Sequence, residues 1–92
     1  MNIWIMEKIT FCGPVSFIDE SKNLIIVGTI NSDSDLVFKV NNLIVFGKIN
    51  TTKNLTIHVK SNGINVGEIS CKGELKGSGT FCNGLNNESS KN

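Results

Sequence analysis

Asn23–Val40 reads NLIIVGTINSDSDLVFKV, and Asn42–Val59 reads NLIVFGKINTTKNLTIHV. The second stretch repeats the first at an offset of 19 residues without a gap. Leu24/Leu43, Ile25/Ile44, Gly28/Gly47, Ile30/Ile49, Asn31/Asn50, Leu36/Leu55 and Val40/Val59 are identical pairs. A weaker third copy keeps Gly67, Ile69 and Leu75 at the spacing of Gly47, Ile49 and Leu55, now shifted by 20. Each copy holds two apolar runs separated by turn residues, NSDS in one and NTTK in the next. In the second run Leu36, Phe38, Val40 and Leu55, Ile57, Val59 alternate with period two, and helical periodicity is absent. A unit of this length with two strands and no helix is one coil of a parallel β-solenoid. The expected fold is therefore all-β: a short parallel β-helix of about three to four coils, 19–20 residues per coil.

A coil of this kind cannot bury its own inward side chains, which is why the sequence repeats. Stacked coils lie about 4.8 Å apart, so equivalent residues form columns. Leu36, Leu55 and Leu75 make one core column, and Ile30, Ile49 and Ile69 another. The recurring Gly suits a corner where the backbone bends or takes positive φ. Asn31 and Asn50 suit the turn after it, where stacked amides can bond along the column. ITFCGPVSF (Ile9–Phe17) reads as a degenerate first coil when Gly13 is matched to Gly28, and GELKGSGTF (Gly73–Phe81) completes or caps the last. Aligning Ile64 and Val66 with Leu43 and Val45 requires a one-residue slip before Gly67. With the slip Asn65 faces out; without it Asn65 faces in and needs a partner. The expected organisation is an apolar N-terminal segment at 1–8, a β-helix domain at 9–82 and a disordered polar tail at 83–92.

Composition narrows the function classes. Nine Lys plus Arg against eight Asp plus Glu leave no field that points to nucleic acid. The apolar start MNIWIM is cut off by Glu7 and Lys8 and lacks the basic beginning of a secretory signal, so the expected location is cytoplasmic. Cys12, Cys71 and Cys82 are odd in number and widely spaced, which argues for reduced thiols rather than disulfides or a zinc site. His58 is the only histidine, expected on the surface beside Lys39 and Lys76 of neighbouring coils. DSD (Asp33–Asp35) reads as a turn, and GSG (Gly77–Gly79) has no helix or Lys after it to hold a phosphate. No catalytic, cofactor-binding or metal-binding residue emerges, and no enzyme activity or cofactor is expected.

Two surface features do emerge. The second runs put polar residues outward at Lys39, Thr56, His58, Lys76 and Ser78, whereas the first runs are apolar in both phases. Ile25, Val27, Ile44 and Phe46 form an apolar flank, the expected lateral or partner interface, covered by the N-terminal segment as a lid or by another molecule. A short solenoid also ends in unpaired strand edges that add a further layer unless blocked. Ile9 and Phe11 at one end, Leu75 and Phe81 at the other, are the expected end-stacking interface. The favoured function is a self-associating structural scaffold that polymerises through its coil ends. The alternative is a binding module that holds a specific protein partner on the flank.

The steps IIVGTI, IVFGKI and INVGEI resemble those of bactofilins, small bacterial cytoskeletal proteins, over about Ile9 to Phe81. The resemblance implies a right-handed parallel β-helix that forms filaments end to end without nucleotide, with the chain itself as partner and a role in cell shape. It also implies disordered tails and a short apolar N-terminus that touches the membrane. Here that contact would be Ile3, Trp4, Ile5 and Met6, placing the protein peripherally at the inner membrane face or beside another scaffold protein. The present core is shorter than is usual in that family.

Overall fold

The computed structural model describes residues 1–82, so the tail expected at 83–92 lies outside the described residues. Nine strands follow in order: β1 (Asn2–Ile5), β2 (Lys8–Phe11), β3 (Val15–Ile26), β4 (Thr29–Ser32), β5 (Leu36–Val45), β6 (Lys48–Thr51), β7 (Leu55–Asn65), β8 (Glu68–Cys71) and β9 (Leu75–Cys82). They form two parallel sheets, ordered β1-β3-β5-β7-β9 and β2-β4-β6-β8. The result is an all-β solenoid of about four turns. Among the described residues no helix is long and apolar enough to cross a membrane.

The 19-residue repeat becomes the strand register directly: Leu24 lies beside Leu43, Ile30 beside Ile49 and Leu36 beside Leu55. The third copy follows at 20, with Ile49 beside Ile69 and Leu55 beside Leu75. β3, β5 and β7 are long because each is two arms joined at a corner where the register shifts. The inward phase changes there: Leu36, Phe38 and Val40 point in before the β5 corner, Leu43 and Val45 after it. Each coil thus has three straight arms around one core. That core is columnar, with Ile30, Ile49 and Ile69 on one arm and Leu36 and Leu55 on the next, all buried.

Three expectations are corrected. The first coil starts at Asn2, not at Ile9. β1 pairs with β3 as Asn2–Asn23 through Ile5–Ile26, an offset of 21, and β2 pairs Ile9 with Ile30. Residues 1–8 are therefore part of the solenoid, not a separate segment or lid, and Glu7 rather than Gly13 stands above Gly28: the Thr29 N–H bonds the Glu7 carbonyl at 3.2 Å. Second, the recurring glycines need no positive φ, which among the described residues occurs at Gly13 and Gly79. They are required by close approach, because a Cβ on Gly28, Gly47 or Gly67 would collide with a backbone carbonyl of the coil before it. Third, there is no slip before Gly67. Ile64 lies beside Ile44 and Asn65 beside Val45, and the extra residue is absorbed at the Lys60–Ser61 corner.

Asn65 therefore faces in, at 3 % exposure. Its Oδ1 accepts the Gly67 N–H at 3.2 Å, while its Nδ2 has no hydrogen-bond partner among the described residues. A buried unpaired amide donor costs about 1–3 kcal/mol. The Gly67 N–H also bonds the Val45 carbonyl at 3.0 Å, so removing the side-chain oxygen does not orphan it. Asn65→Val, which copies the residue one coil above, should stabilise the fold by about 1 kcal/mol. That corresponds to a melting temperature about 4–8 °C higher for a domain of this size. A lower melting temperature for the valine variant would mean that Asn65 is satisfied in solution.

Candidate functional site: an apolar stripe beside an asparagine ladder

The arm that holds Leu24 and Ile26 inward necessarily turns Ile25 outward, and the same parity acts in every coil. Trp4, Ile25, Ile44 and Ile64 are register partners and form one outward column. Met6, Val27, Phe46 and Val66 lie two residues further on, just past the paired strands, where the Val27, Phe46 and Val66 N–H groups still bond the Ile5, Ile26 and Val45 carbonyls, and form a second. Ile25 is nearly covered within its column, but Trp4, Phe46 and Val66 are each 56 % exposed and Met6 60 %. The four flank residues expected from the sequence are thus brought together on one surface.

The sequence reading missed half of this surface. Ile64 and Val66 were hidden by the supposed slip. Trp4 and Met6 were assigned to membrane contact along with Ile3 and Ile5. Structurally the four divide: Ile3 and Ile5 point inward and pack on the core, and only Trp4 and Met6 face out. The N-terminal segment extends the flank and does not cover it. The signal was present, because NIWI at Asn2–Ile5 has the pattern of NLII at Asn23–Ile26.

A second surface lies alongside. Asn2, Asn23, Asn42 and Asn62 are successive register partners. The Asn23 Nδ2 donates to Asn2 Oδ1 at 2.9 Å, and the Asn42 Nδ2 donates to Asn23 Oδ1 at 2.9 Å. The Asn62 backbone N–H donates to Asn42 Oδ1, also at 2.9 Å. This asparagine ladder and the Trp4 column together line an open groove of about 390 Å³. The ladder expected at Asn31 and Asn50 also forms on the four-stranded sheet: the Asn50 Nδ2 donates to Asn31 Oδ1 at 3.2 Å, and the Ser70 hydroxyl donates to Asn50 Oδ1.

The remaining polar motifs hold the corners. In DSD, Asp33 Oδ1 accepts the Gly13 N–H and the Ser34 hydroxyl at 3.0 Å each, and Asp35 Oδ1 accepts the Asn54 N–H at 3.1 Å. The Gly13 N–H is the main reason that the Asp33 carboxyl sits below its ordinary value. Asn54 Oδ1 continues the pattern by accepting the Glu74 N–H at 2.9 Å. His58 faces out on β7 beside Lys39 in register, as expected, but its partner in the next coil is Ser78 and not Lys76, which pairs with Thr56. Its Nδ1 hydrogen-bonds the Ser78 hydroxyl, and its Nε2 lies 3.3 Å from Glu20 Oε2. Ser78 sits in β9 just before Gly79, whose φ of +104° bends the strand. Cys71 is buried with its Sγ 3.6 Å from the Gly73 carbonyl, while Cys12 and Cys82 are exposed.

The residues expected at the ends divide between them. Ile9 and Phe11 belong to β2, an outer strand of the four-stranded sheet. Leu75 and Phe81 belong to β9, the outer strand at the opposite end of the five-stranded sheet. Phe11, Leu75 and Phe81 pack on the core yet remain partly exposed, and the Phe81 ring lies where a Cβ on Gly63 would stand.

No family model matches this chain, and no curated protein or solved structure matches it either.

Proposed function

We propose that this protein is a self-associating structural scaffold, similar to bactofilins, that assembles through its coil ends without nucleotide. The observation that carries this reading is the N-terminal end. There, among the described residues, β1 and β2 each pair on one side only, with β3 and β4. Above that edge Ile3, Ile5, Phe11, Val15 and Phe17 close the core only partly. Unpaired parallel strands over a half-open apolar floor favour a further strand layer. The opposite end offers the outer strands β8 and β9, with Leu75 and Phe81 at the floor. In this reading the protein is cytoplasmic and its main partner is itself. The exposed Trp4, Phe46 and Val66 favour a second reading, a module that holds a separate protein on its stripe.

Negative-stain electron microscopy of the purified chain over a concentration series, without nucleotide, tests the scaffold reading. Wild type should form elongated assemblies. Phe11→Asp, which charges the floor of one end, should leave discrete particles. Wild type that stays monomeric or dimeric at high concentration would overturn end-to-end assembly.

A further inference from the structure

The stripe poses a separate question, because end contacts leave it uncovered. We propose that it is covered by the same stripe of a second copy, so that two solenoids pair side by side through their five-stranded sheets. This does not rest on the end-to-end reading.

Area is the first argument. Trp4, Met6 and Phe46 keep more than half of their surface exposed, and Val27, Ile64 and Val66 each keep more than a third. Taking large apolar side chains at about 150–250 Å² each, the stripe offers roughly 450–750 Å² per copy. Two copies would hide roughly 900–1,500 Å² in total, spanning the ~1,000 Å² that a biological interface must clear and reaching into the range for specific ones. A patch of this size is at or above the largest that a typical monomer exposes, and such patches are often functional.

Chemistry is the second. Neither outward column carries a charged side chain, so pairing buries no unpaired ion. The neighbouring asparagines direct amide hydrogens and oxygens at one another along the ladder. They can therefore lose water at the rim at little cost.

Spacing is the third. The columns repeat once per coil, about 4.8 Å apart, with a ridge at each coil and a furrow between coils. A partner fills every furrow only if its own ridges have the same axial repeat. A second copy of this chain has that repeat by construction. Two such sheets stack about 10 Å apart with their strands roughly aligned, the ordinary geometry of a β-sandwich.

Sedimentation velocity on the full chain, from about 1 to 100 μM, combined with filament width in the microscope, tests the pairing. Wild type should sediment as dimers, or as filaments two solenoids wide. Phe46→Asp places a charge at the centre of the stripe on a residue outside the core, so its circular dichroism should match wild type. Its pairing should weaken by about tenfold or more. Any filaments it still forms should be one solenoid wide, which separates loss of lateral pairing from loss of end contacts. Wild type that is monomeric at 100 μM, or filaments of single width before any substitution, would overturn the proposal. Unchanged pairing in folded Phe46→Asp would overturn it as well. Either of the first two results would leave the stripe to a different protein.

Discussion

Gly47→Ala should leave no stable solenoid. A Cβ at this position would lie within bonding-range contact of the Gly28 carbonyl oxygen, with the Val27 carbonyl close behind. That oxygen is not free to move, because it accepts the Lys48 N–H at 3.0 Å. The Gly47 carbonyl is held in turn by the Glu68 N–H at 2.9 Å. Relief therefore requires two coils to part along a ladder whose spacing is set by every other strand. Small domains have a net stability of about 5–15 kcal/mol, and a clash between main chains of adjacent coils consumes several of these. The expected melting temperature falls by roughly 20 °C or more, if a transition is seen at all. Gly13→Ala is the informative contrast. Nothing stands near its Cβ, but its φ is +91°, so it carries only the left-handed backbone penalty of about 1–2 kcal/mol. A Gly47→Ala protein melting within a few degrees of wild type would show that the coils do not approach this closely.

Phe38→Ala should be the most damaging truncation of a side chain. Phe38 is the largest fully buried side chain, and its column runs from Phe17 through Phe38 to Ile57 and then Gly77. Its ring lies 6.5 Å from that of Phe17, tilted by 42°. Removing it takes away both the ring's own burial and the support under Phe17, in a coil with no neighbour above it among the described residues. Phe→Ala in a packed core costs about 3–5 kcal/mol. Urea denaturation should show a loss of this size. Phe46→Ala, which trims an equally large but exposed ring, should change stability by about 0.5 kcal/mol or less. Equal losses at the two positions would mean that the inward and outward phases have been exchanged.

That phase was legible in the sequence wherever the repeat is clean. From Leu24 to Val59 the identical pairs define the columns, the register and the outward set Ile25, Val27, Ile44 and Phe46 without further information. The reading lost its way where a corner changes length. Partners lie 21 residues apart between the first two coils, then 19, then 20, and finally 18 along the second arm of β9. A bulge takes up each difference at a corner, because an extra residue inside an arm would reverse every side chain after it. Sequence comparison alone has no reason to prefer the corner. It placed the extra residue beside Gly67, where doing so conveniently turned Asn65 outward. At the start, Glu7 stands in the glycine column and no coil among the described residues lies against it to crowd its Cβ, so the glycine that would have marked the first coil is missing. Gly13, which has a turn of its own to make, drew the alignment instead. Half of the stripe was lost with those two misplacements, since Trp4, Met6, Ile64 and Val66 lie in the two coils concerned.

The near-constant offset also says how such a chain comes to be folded. Every strand meets its partner across a loop of about twenty residues, so each added coil pays nearly the same closure entropy, and no late step joins distant parts. Growth is then a zipper in one dimension. The two near-identical coils between Leu24 and Val59 are the natural nucleus, because they offer each other a complete set of apolar partners. The first and last coils would then be laid down afterwards, and they should open first when the chain is warmed. The parts of this molecule that have least to hold them are the same ends at which another molecule would join.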